Sequence, residues 1–211
     1  MQRRVKAPPR SGGYANLSAW LSRLARLDFT VFEEVRGEHT ATTGAIIIVV
    51  AASVLAGLGS WVWAIQQDFD GLGTGSVFLK TLVAGTIVQL FVWLIWVYLA
   101  YVLTARVFAA NVTFQELMRT MGLAFAPVAL SVFVAIAPLA VPFGVLSLGI
   151  TFLFTNIAVE QASGLDTREA TLANLGGFAV FLIFMGVAAN IAEAGTFGGL
   201  APGILFFSLD L

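Results

Sequence analysis

Charge is scarce in this chain. Of 211 residues only 11% are Asp, Glu, Lys or Arg, against about a quarter in a soluble domain. Hydrophobic residues make up 59%, too much to hide behind so little polar surface, so the chain reads as an integral membrane protein. Cysteine is absent, which excludes disulfides, thiol catalysis, iron–sulfur clusters and thiolate metal sites. The one histidine, His39, lies outside every long apolar run, which argues against a histidine-ligated haem, chlorophyll or catalytic metal in the membrane. A net charge of −1 offers no basic excess for nucleic acid. Nor is there a Gly-Lys-Ser/Thr phosphate cradle, a His pair on one helix face or a Ser-centred nucleophile elbow. Gly71-Leu72-Gly73 lacks the strand–helix setting of a nucleotide fingerprint. The expectation is a non-enzyme with no cofactor and no metal.

What the chain does have is long apolar runs. Five are expected to span the membrane, at residues 44–65, 81–105, 120–136, 143–159 and 172–192. The first has 22 uncharged residues, about 33 Å of helix for a hydrocarbon core of about 30 Å. Thr40, Thr42 and Thr43 precede it as candidate caps. Residues 66–75 form a polar, Gly-rich turn, and Lys80 and Arg106 bracket the second run. Thr113 and Glu116 stand at capping-box spacing before the third. Pro127 lies inside that run and should kink it. Pro138 and Pro142 bracket a tight turn before the fourth run, which stops at Glu160. Residues 161–169 link it to the fifth. The fold class is therefore all-α, a polytopic membrane protein with five transmembrane helices.

The N-terminal region has no continuous apolar stretch of signal-peptide type. Instead Tyr14, Leu17, Trp20, Leu21, Leu24 and Leu27 recur at helical spacing, with Arg23 and Arg26 between them. This predicts an amphipathic helix over 14–38, lying at the membrane interface, packed on the ends of the spans, or both. Before it, residues 1–13 read as a disordered basic terminus. The membrane domain then covers 39–195, and residues 196–211 read as an apolar tail at the outer interface, too short to cross. With the N-terminus in the cytoplasm, ten of the eleven basic residues fall inside and only Lys80 outside. The positive-inside rule selects that orientation and places the C-terminus outside.

On this topology Glu33, Glu34, Arg106, Glu116, Arg119 and Glu160 gather at the cytoplasmic leaflet. They form either a binding surface or a ring of locally paired interfacial charges. Glu116 and Arg119 are three apart and can share a helix face. Arg119 and Glu160 should lie at similar depth and pair. Inside the spans, Gln89, Asn156, Asn174 and Asn190 are expected to hydrogen-bond between helices. No carboxylate stands at mid-span for a proton relay. Trp61 and Trp63 suit an outer aromatic belt, whereas Trp93, Trp96, Tyr98 and Tyr101 lie deeper and are expected to pack. Ala52-Ala56-Ser60 and Ala51-Leu55-Gly59 offer small ridges for close helix contact.

Three segments, Val31–Val35 with the entry to the first span, Thr113–Pro127, and 156–171, resemble the Yip family of five-span membrane proteins, the Ypt/Rab-interacting proteins and their prokaryotic relatives. The first is Val31-Phe32-Glu33-Glu34-Val35, followed by the Thr-rich entry to a span ending Ala56-Gly57-Leu58-Gly59. The second runs from Thr113-Phe114-Gln115-Glu116-Leu117-Met118-Arg119 through Gly122 to Pro127, and is similar to the prokaryotic pattern. The third is the stretch 156–171, with Glu160-Gln161-Ala162 and Asp166-Thr167-Arg168-Glu169-Ala170. The resemblance covers residues 28–192 and implies five spans with a cytoplasmic N-terminus. Eukaryotic members engage lipidated Rab-type GTPases, but their Asp-Leu-Tyr-Gly-Pro type signature is missing here and Leu123 stands where they commonly carry Tyr. That partner role is therefore not transferred.

The reading is a non-enzymatic, membrane-organising or scaffold/accessory protein of a prokaryotic inner membrane. Its expected partners are the lipid bilayer and other membrane proteins or further copies of itself. The interaction candidates are Glu33, Glu34, Arg106, Glu116, Arg119, Gly122, Pro127 and Glu160. The competing reading is a small-molecule or ion permease.

Overall fold

A computed structural model describes residues 16–66 and 74–191, which are helical throughout apart from short connections. Tyr14, the Gly71-Leu72-Gly73 turn, the basic terminus and the C-terminal tail lie outside the described residues, as does the side chain of Asn190. Where one amphipathic helix was expected there are two, α1 (Leu17–Ala25) and α2 (Val31–Gly37). The break is local chemistry. Leu27 turns to φ 61°, and the Asp28 carboxylate accepts from the backbone N–H (3.2 Å) and the hydroxyl of Thr30. A short polar side chain bonding two residues ahead offers the backbone a turn in place of a helical bond.

Five helices follow that are long and apolar enough to cross a membrane: span one (Ala41–Gln66), span two (Leu79–Val107), span three (Phe114–Ala135), span four (Ala137–Ser163) and span five (Thr167–Ala189). Of the three threonines expected as caps, Thr42 and Thr43 lie inside span one and only Thr40 precedes it. Glu38 accepts from the Thr40 N–H (3.3 Å) and hydroxyl (2.8 Å). Span two is α-helical over Gly85–Val102, between π-helical stretches at Leu79–Ala84 and Leu103–Val107. Span three opens with the expected capping box, Thr113 and Glu116 each serving the other's backbone. Its proline acts as a change of helix type. Pro127 has no N–H to give and its ring crowds the preceding turn, and from Ala126 to Ala135 the chain is a 3₁₀ helix. Span four tolerates Pro142 in its first turn, where the missing N–H has no helical partner anyway. It runs past the expected stop at Glu160 to Ser163 and ends on Gly164, whose φ of 70° is the left-handed cap glycine favours.

Around the bundle the spans neighbour each other in the order one, three, four, five, two and back to one. At its centre Trp96 packs against Phe125, Phe178 and Phe181 with ring centroids 5.1–6.4 Å apart. Lipid supplies no hydrophobic drive for helices to associate, so close fit decides their contact. A Cβ on Gly59 would fall 2.3 Å from the Ser131 carbonyl oxygen, and one on Gly177 would fall 2.3 Å from Trp96 Cδ1. Ala52, Ala56 and Ser60 all face inward, but of the second expected ridge only Gly59 does, since Ala51 and Leu55 are exposed. Trp63 is buried and Trp61 half-buried, in a cluster with Val77, Val134 and Ala140 at the end opposite the arginines. They pack within the bundle, with Trp61 edge-on to Phe78.

Candidate functional site at the arginine-rich end

The helices α1 and α2 form a cap on the end of the bundle where most arginines lie. Trp20, Leu24, Val31, Phe32 and Val35 bury their apolar faces with Ile48 of span one, Leu123 and Ala124 of span three, and Ala158 of span four. The amphipathic segment packs on the ends of the spans, one of the placements expected for it. The hinge side is held by Arg23. Its guanidinium donates to Asp28 (2.8 Å), Glu34 (2.6 Å) and the Thr30 hydroxyl (3.0 Å), and Glu34 also accepts from the Trp20 indole N–H (2.9 Å). The Thr30 hydroxyl and the Arg23 guanidinium hold the Asp28 carboxyl below its ordinary value, and the same carboxylates raise Arg23.

Arg119 is the structural centre of this end. It is 3% exposed, which for a guanidinium is unusual unless every direction is answered. Its Nε donates to the Thr42 hydroxyl (2.8 Å), one terminal nitrogen to the backbone carbonyl of Arg36 (3.0 Å), and the other meets His39 Nδ1 at 3.1 Å. That last bond requires the tautomer or charge state in which Nδ1 accepts. Arg36 in turn donates its Nε to Glu116 (3.0 Å). The other Glu116 oxygen accepts from the Thr113 N–H and hydroxyl, both at 2.8 Å. One planar fork thus ties span three to span one, to α2 and to the link between them.

The backbone explains why Arg119 points this way. Gly122 lies three residues further on the same face, and a Cβ there would sit 2.7 Å from that of Ala45. Spans one and three therefore approach closely at Gly122 and Ala45. Three residues back along each, Arg119 reaches Thr42.

The expected pairings of Arg119 are corrected by this geometry. It faces span one, away from Glu160, and the Glu160 carboxylate instead accepts from the Thr167 hydroxyl (3.2 Å). Glu116 is taken by its own cap and by Arg36. Among the described residues no carboxylate forms an ion pair with Arg119. Glu33 is exposed on α2, Arg106 is exposed on the π-helical end of span two, and Pro127 is buried where span three tightens. The candidates are thus a clamp (Glu116, Arg119, Gly122), a hinge pair member (Glu34), two exposed groups (Glu33, Arg106), the half-buried Glu160 and the buried Pro127. Arg36, His39 and Thr42 were missed as partners. The only hint in the sequence is a polar run ahead of span one that is denser than anchoring needs.

Of the interior amides, Asn174 bonds between helices as expected. Its carbonyl accepts from the Trp96 indole (3.1 Å), and its NH₂ donates to the Phe152 carbonyl (3.2 Å) and the Thr155 hydroxyl (3.0 Å). Gln89 departs from the expectation: neither its oxygen nor its nitrogen finds a partner, nor does Asn156 Oδ1. Tyr98 and Tyr101 sit against Phe114, with Tyr98 largely exposed on the outside of the bundle.

Five apolar helices around a closed aromatic core define a polytopic helical membrane protein. The Yip1 domain family model matches residues 29–190, from α2 through all five spans. The chain belongs to the Yip1 domain family. No curated protein and no solved structure matches it.

Proposed function

We propose that this Yip1-family protein is a non-enzymatic membrane organiser, a scaffold or accessory subunit whose working face is the arginine-rich end. The observation that carries the reading is the Arg119 clamp. A buried cation is costly, and here it fixes a helical cap rigidly over the ends of three spans, leaving Glu33 and Arg106 exposed around it. A rigid charged platform suits recognition of a partner. The competing permease reading needs a path along the bundle axis, where Trp96, Phe125, Phe178 and Phe181 stand in contact. The positive-inside rule supports an orientation with this face in the cytoplasm and the C-terminus outside, and the likeness to the prokaryotic pattern supports an inner membrane. The partners are other membrane proteins or further copies of the chain, in the bilayer.

The test is flux. Purified protein in proteoliposomes should pass a panel of ions and small solutes no faster than protein-free vesicles. Saturable uptake of any of them would overturn the scaffold reading.

A further inference from the structure

Span four is the least covered of the five. Its buried residues, among them Ser147, Thr151, Thr155 and Ala158, share one face. On the opposite face Pro142, Leu146, Gly149, Leu153 and Asn156 follow one another at steps of four and three, the first four exposed and Asn156 half-buried. That is the seven-residue repeat along which two helices seam together. Spans one and five turn Ile46, Ile47, Leu55, Ile183 and Phe184 outward, bulky apolar side chains that suit lipid. The stripe on span four departs from that pattern at two places.

Gly149 is exposed, and a Cβ built there meets nothing within 4 Å. No contact inside the chain therefore asks for a glycine, which in a helix costs about 1 kcal/mol against alanine. Asn156 is half-buried and its amide oxygen has no partner. Span four runs Ala137–Ser163, so Gly149 stands at its middle and Asn156 about 10 Å nearer the arginine-rich end. The hydrocarbon core reaches about 15 Å either side of its centre, and Asn156 falls within it. Lipid tails cannot answer an amide there, and an unpaired one costs several kcal/mol.

We propose that this stripe is where two copies of the chain pair within the membrane. Symmetry selects the occupant. Copies in one membrane share an orientation, so the two-fold axis of a pair runs along the membrane normal and each residue of the stripe meets its own counterpart. Glycine then faces glycine and lets the two backbones approach closely. Asparagine faces asparagine, and because a half-turn of the last torsion exchanges the two ends of an amide, each can donate to the other. One asparagine in an apolar seam is a known means of fixing register and pairing. Lipid meets neither need. Glu160, the next residue on the stripe, accepts from Thr167 of its own chain and stands where headgroups and water begin. The pair deepens the scaffold reading by naming a second copy as one partner, and it rests on that reading only for the expectation of a partner, since the surface is separate from the arginine-rich end.

Cysteine cross-linking in the membranes of cells expressing the intact chain tests the pair, because the chain has no cysteine of its own. A disulfide forms only between Cα atoms within about 7 Å of each other. Under a mild oxidant Leu153→Cys should therefore give about tenfold more covalent dimer than Ile183→Cys on span five, although the two positions are equally open, at 59% and 60% exposed. In the Leu153→Cys protein, Gly149→Leu and Asn156→Leu should each cut the dimer several-fold, and the new side chain at 149 has no neighbour in the monomer to disturb. Arg119→Ala, which tests the platform, should leave the cross-link intact, so the two proposals fail separately. Equal yields from Leu153→Cys and Ile183→Cys overturn the pair. So does a Leu153→Cys dimer that both substitutions leave unchanged.

Discussion

Replacing Arg119 with alanine removes three hydrogen bonds from a buried cation, to Thr42, His39 and the Arg36 carbonyl. Bonds with a charged partner contribute about 1.5–3 kcal/mol each. They are not additive within one side chain, and the released acceptors lie near the bundle's end where water reaches some of them. A loss of about 3 kcal/mol is expected for Arg119→Ala. Arg23 also makes three bonds, but its side chain is 32% exposed and its partners Asp28 and Glu34 are 40% and 51% exposed. Exposed ion pairs contribute about 0.2–1 kcal/mol, so Arg23→Ala should cost about 1 kcal/mol or less. Arg119→Lys should recover little, because an ammonium cannot serve three fixed directions of a planar fork. Titration of the detergent-solubilised protein with SDS, followed by tryptophan fluorescence, measures each loss. A double-mutant cycle should find coupling between Arg119 and Thr42 and none between Arg119 and Glu160. Equal, small losses for Arg119→Ala and Arg23→Ala, or coupling to Glu160, would refute the clamp.

Three further outcomes follow from the same packing. Gly59→Ala should destabilise by about 1–3 kcal/mol in that titration, because its new methyl meets the Ser131 and Val132 backbone. Gly149→Ala, with nothing within 4 Å, should not destabilise. Asn174→Leu should cost about 1–3 kcal/mol by leaving the buried Trp96 N–H unpaired, visible as a shift in tryptophan emission. The Asp28 carboxyl is depressed in the folded protein, so its contribution is complete above the unfolded carboxylate pKa and is lost as pH falls through the lower folded value. The α1–α2 hinge should therefore gain protease sensitivity only below about pH 4, and Asp28→Asn should remove that dependence.

The spans were legible because a membrane imposes one simple rule, about twenty apolar residues in a row, and the described residues obey it five times. The capping box at Thr113 and Glu116 was legible because both members are near in sequence. What escaped was direction. Spacing places Arg119 and Glu160 at comparable depth, but which way Arg119 faces depends on the close approach of Gly122 to Ala45, some 77 residues away in sequence. The break at Leu27 was hidden because a leucine at φ 61° looks from the sequence like one more apolar helical position. Gln89 looked like ordinary interhelical glue beside Asn174. Only the packing shows that one amide is satisfied and the other is not.

On the proposed function, the arginine-rich end is a platform for a partner. Native mass spectrometry of the protein released from lipid nanodiscs addresses it directly. The unaltered chain should leave the membrane in stoichiometric association with a second protein or with copies of itself, and Arg119→Ala should dissociate that assembly while Arg23→Ala preserves it. A lone monomer from the unaltered chain, or an assembly indifferent to Arg119, would contradict the account.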